Sequence, residues 1–350
     1  MTLPPTFVRL ALLAVAALGL ALAPVTLGAR QDQPAAVGDG ARFTAFLEAL
    51  KTEAVTRGIS GALAARALDG LQPLPVVVAR DRDQAEAVLS IDTYVRRRLT
   101  AATVRKAQRM FAQHQPLLEK IGATYGVQPK YLVAVWGLES NFGAFTGVRP
   151  TVQALATLAF DGRRGELFKS ELFDALRIVE RGHANLDALR GSWAGAMGQP
   201  QFMPSSYLKY AEDFDGDGTR DIWQSKADVF ASIANYLKAY GWDSEATWGR
   251  QVRVSGPVHE TFARAGSRGE GCRASRALSG RRFLAEWQAM GVRAADGAPL
   301  PAVERLASLL DAGDRQFLVY ANYEAILGYN CANAYALSVA MLGDRINTGP

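Results

Sequence analysis

One short segment limits the fold more than any other. Between Lys130 and Glu139 the side chains Tyr131, Leu132, Val133, Val135, Trp136 and Leu138 leave no polar face at helical spacing. A helix that is apolar all round belongs in a core, so the rest of the chain must wrap it. Pro129 opens the segment, and Ser140-Asn141-Phe142-Gly143 supplies the residues of a helix end and turn. The segment carries one carboxylate, Glu139, at its exit. A carboxyl group at the rim of an apolar helix is desolvated, which disfavours its charged form and raises its pKa. A glycosidic general acid needs that state: protonated near neutrality, yet able to release the proton. The competing reading is a glutamate paired with an arginine or capping a neighbouring helix. The segment alone does not separate the two.

The flanking sequence is mainly helical in pattern. Phe43, Phe46, Leu47 and Leu50 recur at spacings of three and four and give one apolar face. Further helices are expected at 150–158, 165–181, 205–212, 228–240, 283–290 and 334–345. Val252 and Val254 alternate with Gln251 and Arg253, which predicts a few short strands between about 250 and 280, with another at 317–319. The expected class is mainly α (α+β). Its parts are an N-terminal helical domain (42–120), a core (121–245), a small β-rich insertion (246–282) and a helical C-terminal segment (283–350) that returns to the helical domain and the cleft.

Residues 1–29 read as an export signal: Arg9 precedes the charge-free stretch Leu10 to Ala23, and Gly28 and Ala29 offer cleavage points. An uncleaved anchor is the alternative, because Pro24 and Leu27 make the cleavage site imperfect. With no cysteine there, a lipid anchor is excluded. Residues 30–41 read as a flexible leader. Export permits a disulfide between Cys272 and Cys331, the two cysteines, but their separation says nothing about proximity. Three scattered histidines and no Cys-x-x-Cys make a zinc site an unfavourable reading. The net charge of +5 suits an anionic partner. Its basic residues are scattered, with Arg96 to Arg98 the longest run, so nucleic acid is not the expected one.

Four blocks, in order, carry a resemblance. They are Trp136-Gly137-Leu138-Glu139-Ser140-Asn141-Phe142-Gly143; Ser192 through Gly195, Gly198, Gln201 and Pro204 to Tyr207; Asp213 through Trp223 into Ala234 to Leu237 and Tyr240 to Trp242; and Tyr329-Asn330 with Tyr335. Together they resemble the membrane-bound lytic murein transglycosylase B family, which is lysozyme-like, over roughly residues 40 to 345. The resemblance implies a lysozyme-like core in which Glu139 is the only catalytic acid/base. It would protonate the oxygen joining N-acetylmuramic acid to N-acetylglucosamine, then deprotonate the muramyl C6 hydroxyl as it closes onto C1. An intramolecular nucleophile removes the need for the second carboxylate of ordinary glycosidases. Asp161, Glu166 and Glu171 are the nearest candidates for one, and their Gly-Arg-Arg-Gly setting reads as a solvated face.

The same resemblance assigns Tyr94, Ser192, Gln201, Tyr236, Tyr329, Asn330 and Tyr335 to substrate binding. Sugar faces stack on aromatic rings and sugar hydroxyls need placed polar groups. The plainer readings are core tyrosines with satisfied hydroxyls, a helix-capping Ser192 and a loop-bracing Gln201. The partner implied is the peptidoglycan glycan strand, met by a periplasmic monomer. Transient contacts with cell-wall synthesis proteins are left open.

Asp213-Phe214-Asp215-Gly216-Asp217-Gly218-Thr219 has the core of a calcium loop, with acids at positions 1, 3 and 5 and the glycine that turns sharply at 6. Gln224 stands at position 12, where a bidentate glutamate is expected. By the resemblance Asp228 closes the loop instead. Ser225 and Asp228 also read as a capping box for the next helix. The ligand set is then Asp213, Asp215, Asp217, Thr219 and Asp228 around a structural Ca2+, with no cofactor for catalysis. Two other functional classes stay open: a wall-binding scaffold without catalysis, and a lysozyme-type muramidase that hydrolyses.

Overall fold

The computed structural model describes residues 37–86 and 89–346. The expected signal and the leader as far as residue 36 lie outside the described residues. Residues 37–41, expected as leader, instead begin the helix Val37–Thr56, whose buried Phe43, Leu47 and Leu50 anchor it.

The helix Pro129–Ser140 is the centre of the first core. Pro129 sits in its first turn, where the missing N–H has no cost, and every residue from Tyr131 to Leu138 is buried. Around it pack the helices Ala101–Tyr125, Lys226–Ala239 and Asn333–Arg345, with Ala321–Tyr329 alongside. A second core joins Val37–Thr56, Gly61–Leu68 and Pro75–Glu86 to Thr151–Asp161 and Gly165–Glu180. The stretch 42–120, expected as one helical domain, is therefore divided. Val95, Leu99, Ala107 and Leu118 face the first core, and Phe43 through Val77 face the second. The apolar stripes are local, but which core each one meets is decided by segments far along the chain.

Strands β1 (Arg149–Pro150) and β2 (Arg190–Gly191) form a short antiparallel ladder at the start of the helix Thr151–Asp161. The remaining strands are β3 (Gly249–Val254), β4 (Arg282–Phe283), β5 (Val292–Ala294), β6 (Leu306–Asp311) and β7 (Gln316–Val319). They make one five-stranded antiparallel sheet in the order β4-β6-β7-β3-β5. Its own core holds Val252, Leu284, Trp287, Leu309 and Leu318.

The sheet corrects the expected boundaries. Of its strands only β3 lies between 250 and 280, where the helices Val258–Ala265 and Arg273–Arg276 fill the rest. The sheet runs on to residue 319, into the segment expected to be helical. In β6, Ala307 to Leu310 are all buried, Ser308 among them, so the strand shows a continuous buried run rather than in–out alternation. The mainly α class with a minor sheet agrees with the sequence reading, as do β7 and the terminal helix.

Close packing at the first core is testable. A Cβ on Gly343 would lie 2.6 Å from the ring of Tyr131, which is itself set 4.9 Å from the Trp242 ring. Gly343→Ala is expected to lower stability by about 1–3 kcal/mol in urea unfolding, as overpacking does. An unchanged midpoint would show that the ring has room to move.

Candidate active site

Glu139 is the penultimate residue of the buried helix, and the turn behind it is strained. Asn141 and Phe142 have φ of 51° and 60°, followed by Gly143 at 77°. Two successive non-glycine residues in the left-handed region persist only when the surroundings over-determine them. Here they do. The N–H of Asn141 donates to the Gly137 carbonyl at 3.1 Å and that of Phe142 to Trp136 at 3.3 Å, satisfying carbonyls of the last turn. Ser140 Oγ donates to the Trp136 carbonyl at 3.1 Å and accepts from the Gly143 N–H at 3.0 Å. The Phe142 ring fills the space a side chain at 137 would need, and Lys106 Nζ holds the Asn141 carbonyl at 2.9 Å.

The turn leaves Glu139 half-buried, facing a cleft. Burial pushes its carboxyl up to about 7. The Tyr335 hydroxyl and the positive charge of Arg98 oppose this and do not cancel it. Arg98 donates to the Leu138 carbonyl rather than pairing with the acid, so the ion-pair reading of Glu139 is not the one the geometry favours. The buried Tyr335 hydroxyl has no hydrogen bond of ordinary length and lies within the electrostatic reach of Glu139. The site therefore holds a carboxyl group that keeps its proton well above the ordinary glutamate range and is about half protonated near pH 7.

The cleft has a volume of about 450 Å³, and its walls come from both cores. Glu139 and Asn330 come from the side of the first core, with Tyr329 packed against both; Ser192, Gln201 and Met203 join the first turns of Gly165–Glu180 on the other side. Among the expected binding residues, Ser192, Gln201, Tyr329 and Asn330 thus meet Glu139 in one cavity. Ser192 Oγ accepts from the N–H groups of Ala194 (3.3 Å) and Ala196 (3.2 Å), which fixes the hydroxyl in a turn. Gln201 has φ 52°, and its amide nitrogen donates to the Gly198 carbonyl at 2.8 Å; it braces the loop as well as lining the cleft.

The other tyrosines stand further back. Tyr335 is buried behind Glu139, and Tyr94, on the helix Ile91–Arg98, is close enough to act on it. Tyr236 is not brought into the cavity wall. Its hydroxyl donates to the Gly328 carbonyl at 2.9 Å, and its ring stacks on Tyr240 at 4.9 Å and lies 4.6 Å from Tyr329. It supports the tyrosine that does line the wall, whose own hydroxyl donates to the Pro200 carbonyl at 2.7 Å.

Arg164, Leu167, Glu171 and Trp193 also line the cleft, and sequence reasoning did not assign them there. Glu171 is no solvated residue: it is buried, and it accepts from the Ser205 N–H at 2.9 Å and from its hydroxyl at 2.7 Å. Its position three residues after Phe168, within the face of Leu172 and Ala175, was the available signal. Asp161 and Glu166 are surface partners of Arg82 (2.9 Å) and Lys169 (3.1 Å). Arg163 and Arg164 both bond to the buried Asp81, which fixes Arg164 at the cleft edge.

Cys272 and Cys331 are joined, their Cα atoms 6.1 Å apart. The bond ties a loop of the sheet insertion to the residue after Asn330. In the acidic loop, ligand atoms of Asp213, Asp215 and Asp228 lie within 4.8 Å of one another. Asp217 is not in that group; its carboxylate accepts from the Thr219 N–H at 2.8 Å and hydroxyl at 2.7 Å. Asp228 is wholly buried and accepts from the N–H groups of Phe214 and Asp221, both at 2.8 Å. Ser225 caps the helix that carries it.

The raised pKa of Glu139 has a consequence for stability. Between the ordinary glutamate value of 4.5 and about 7 the folded state holds a proton that the unfolded chain releases, so folding weakens as pH rises through that window. Glu139→Gln is expected to raise unfolding stability at pH 8 by about 1–3 kcal/mol. The gain should vanish by pH 4, where both states are protonated. An equal effect at both pH values would mean that the carboxyl is not desolvated.

The family described as Transglycosylase SLT domain matches residues 42–344. The Escherichia coli (strain K12) membrane-bound lytic murein transglycosylase B is 39% identical over 150 residues, covering 43% of this chain and 41% of that protein. The chain thus matches well under half the length of that curated relative. SltB3 from Pseudomonas aeruginosa, solved in complex with NAG-anhNAM-pentapeptide, is 41% identical with a TM-score of 0.79, covering 88% of this chain and 80% of that one. The Escherichia coli lytic transglycosylase Slt35, solved in complex with calcium, is 27% identical with a TM-score of 0.70, covering 88% and 93%. With a desolvated acid at the cleft and a family match over most of its length, the chain belongs to the transglycosylase SLT domain family.

Proposed function

We propose that the protein is a lytic transglycosylase that cleaves the β-1,4 bond between N-acetylmuramic acid and N-acetylglucosamine in peptidoglycan, leaving a 1,6-anhydromuramic end. The observation that carries this is Glu139, protonated near neutral pH in a cleft lined by Ser192, Gln201, Tyr329 and Asn330. The acid donates its proton to the glycosidic oxygen, and the bond to C1 breaks. Its carboxylate then takes the proton of the muramyl C6 hydroxyl, whose oxygen closes onto C1. One residue serves as acid and then as base, and water is not consumed. SltB3 supports the assignment, having been solved with both NAG-NAM-pentapeptide and NAG-anhNAM-pentapeptide.

In this reading Ser192, Gln201 and Asn330 offer polar contacts to the sugars and Tyr329 a ring face, while Tyr94, Tyr335 and Tyr236 shape the surroundings of the acid. The proton transfers need no cofactor. The carboxylates of Asp213, Asp215 and Asp228 suit a hard cation, and their convergence is the test they pass. Calcium there would join the acidic loop to the helix Lys226–Ala239 and play a structural part. Export by residues 1–29 would place the enzyme in the periplasm.

Purified protein acting on sacculi is expected to release anhydromuropeptides by mass spectrometry, and Glu139→Gln to lower turnover by about 10²–10⁴-fold. Reducing-end products would identify a hydrolytic muramidase; wall binding without products would identify a scaffold. Because the first step needs the protonated acid, turnover is expected to decline as pH rises past about 7. A rate still climbing at pH 9 would exclude Glu139 as the donor.

A further inference from the structure

We infer that Gln199 is a positioning residue for Glu139: its buried side-chain amide clamps the catalytic helix end, behind the cleft, to the segment that leaves the acidic loop. The inference rests on the catalytic role of Glu139 proposed above.

Gln199 is only 3% exposed. Its Oε1 accepts from the Trp136 indole N–H at 2.8 Å, and its Nε2 donates to the Trp223 carbonyl at 2.6 Å. An indole can only donate and a carbonyl can only accept, so the amide has one orientation that satisfies both. The Gln199 backbone N–H adds a third bond, to the Ile222 carbonyl at 2.9 Å. Two features flanking Glu139 in the chain pack against this amide. Trp136 lies three residues before Glu139, close to the same side of the helix. Gly143, four residues after Glu139, packs so tightly that a Cβ there would sit 2.5 Å from Gln199 Oε1. One side chain thus touches the structure on both sides of the acid, across a turn that holds two strained residues.

The other end of the clamp is equally fixed. Asp221 Oδ1 accepts from the N–H groups of Trp223 and Gln224, both at 2.9 Å, and the Asp221 N–H donates to Asp228 at 2.8 Å. The glutamine therefore connects the acidic loop with the helix that ends in Glu139. It is not among the residues lining the cleft, so it does not contact the sugar. Removing it leaves a buried indole N–H and a carbonyl without partners, and the strained turn loses its backing. Reactions of this kind lose about a hundredfold in rate when a reacting group shifts by an ångström.

The test is steady-state kinetics on soluble glycan strands with full-length protein, first wild type and then Gln199→Leu and Gln199→Glu. The expected result for Gln199→Leu is a kcat about 10–100-fold lower with KM within about threefold, and an alkaline limb of the pH profile displaced from the wild-type position. Gln199→Glu keeps the acceptor for Trp136 and loses the donor to Trp223, so it should recover part of the lost kcat. It also supplies the comparison if the leucine variant does not fold. A lower melting temperature with kcat and pH profile unchanged would overturn the inference, as would a rise in KM alone. Absence of turnover in wild type would instead sink the functional reading from which the inference starts.

Discussion

A helix with no polar face can only be buried, and burial sets the chemistry of the one carboxylate it carries. The helix Pro129–Ser140 is enclosed by Ala101–Tyr125, Lys226–Ala239 and Asn333–Arg345, so the polypeptide leaving it must turn at once to reach the surface. Glu139 sits where the enclosure ends. It is far enough inside to lose much of its solvent, which raises its pKa, and near enough to the opening to line the cleft. The left-handed Asn141 and Phe142 are the backbone cost of ending the helix so abruptly, offset by Ser140, Lys106 and the ring of Phe142 itself.

The cleft exists because two cores meet without merging. Residues that face one another across it are far apart in sequence, Glu139 and Tyr329 on one side and Ser192 and Gln201 on the other. The turn bearing Tyr329 and Asn330 is in turn fixed by two long-range devices. The disulfide fastens the next residue to the sheet insertion, and the Tyr236–Tyr240 stack supports the Tyr329 ring from behind. Neither device touches the cavity. Both limit how far its wall can move.

What the sequence made legible follows from the range of each interaction. The apolar run before Glu139, the turn residues after it and the acidic loop are contiguous, so their meaning can be read locally, and the mainly α class follows from periodicity. The sheet was misplaced because the middle of β6, Ala307 to Leu310, is buried without alternation and pairs on one side with β4, which no local pattern announces. Glu171 was misread because its bond to Ser205 crosses 34 residues, although its helical spacing from Phe168 gave a hint. Tyr236 carries the motif of a cleft residue and the position of a supporting one, a distinction that only packing makes. Residues 42–120 show good helical stripes and nothing to tell which core each stripe will join.

The central claim is that position 139 holds a carboxylic acid kept protonated by its surroundings. The most direct measurement is a carbon-13 NMR titration of the Glu139 carboxyl in the substrate-free protein, assigned by loss of its signal in Glu139→Gln. A midpoint near 7 is the expected result. A midpoint near 4.5, the ordinary glutamate value, would mean that the carboxyl is solvated and ionised at neutral pH, and the protein would lack the acid its cleft is built around.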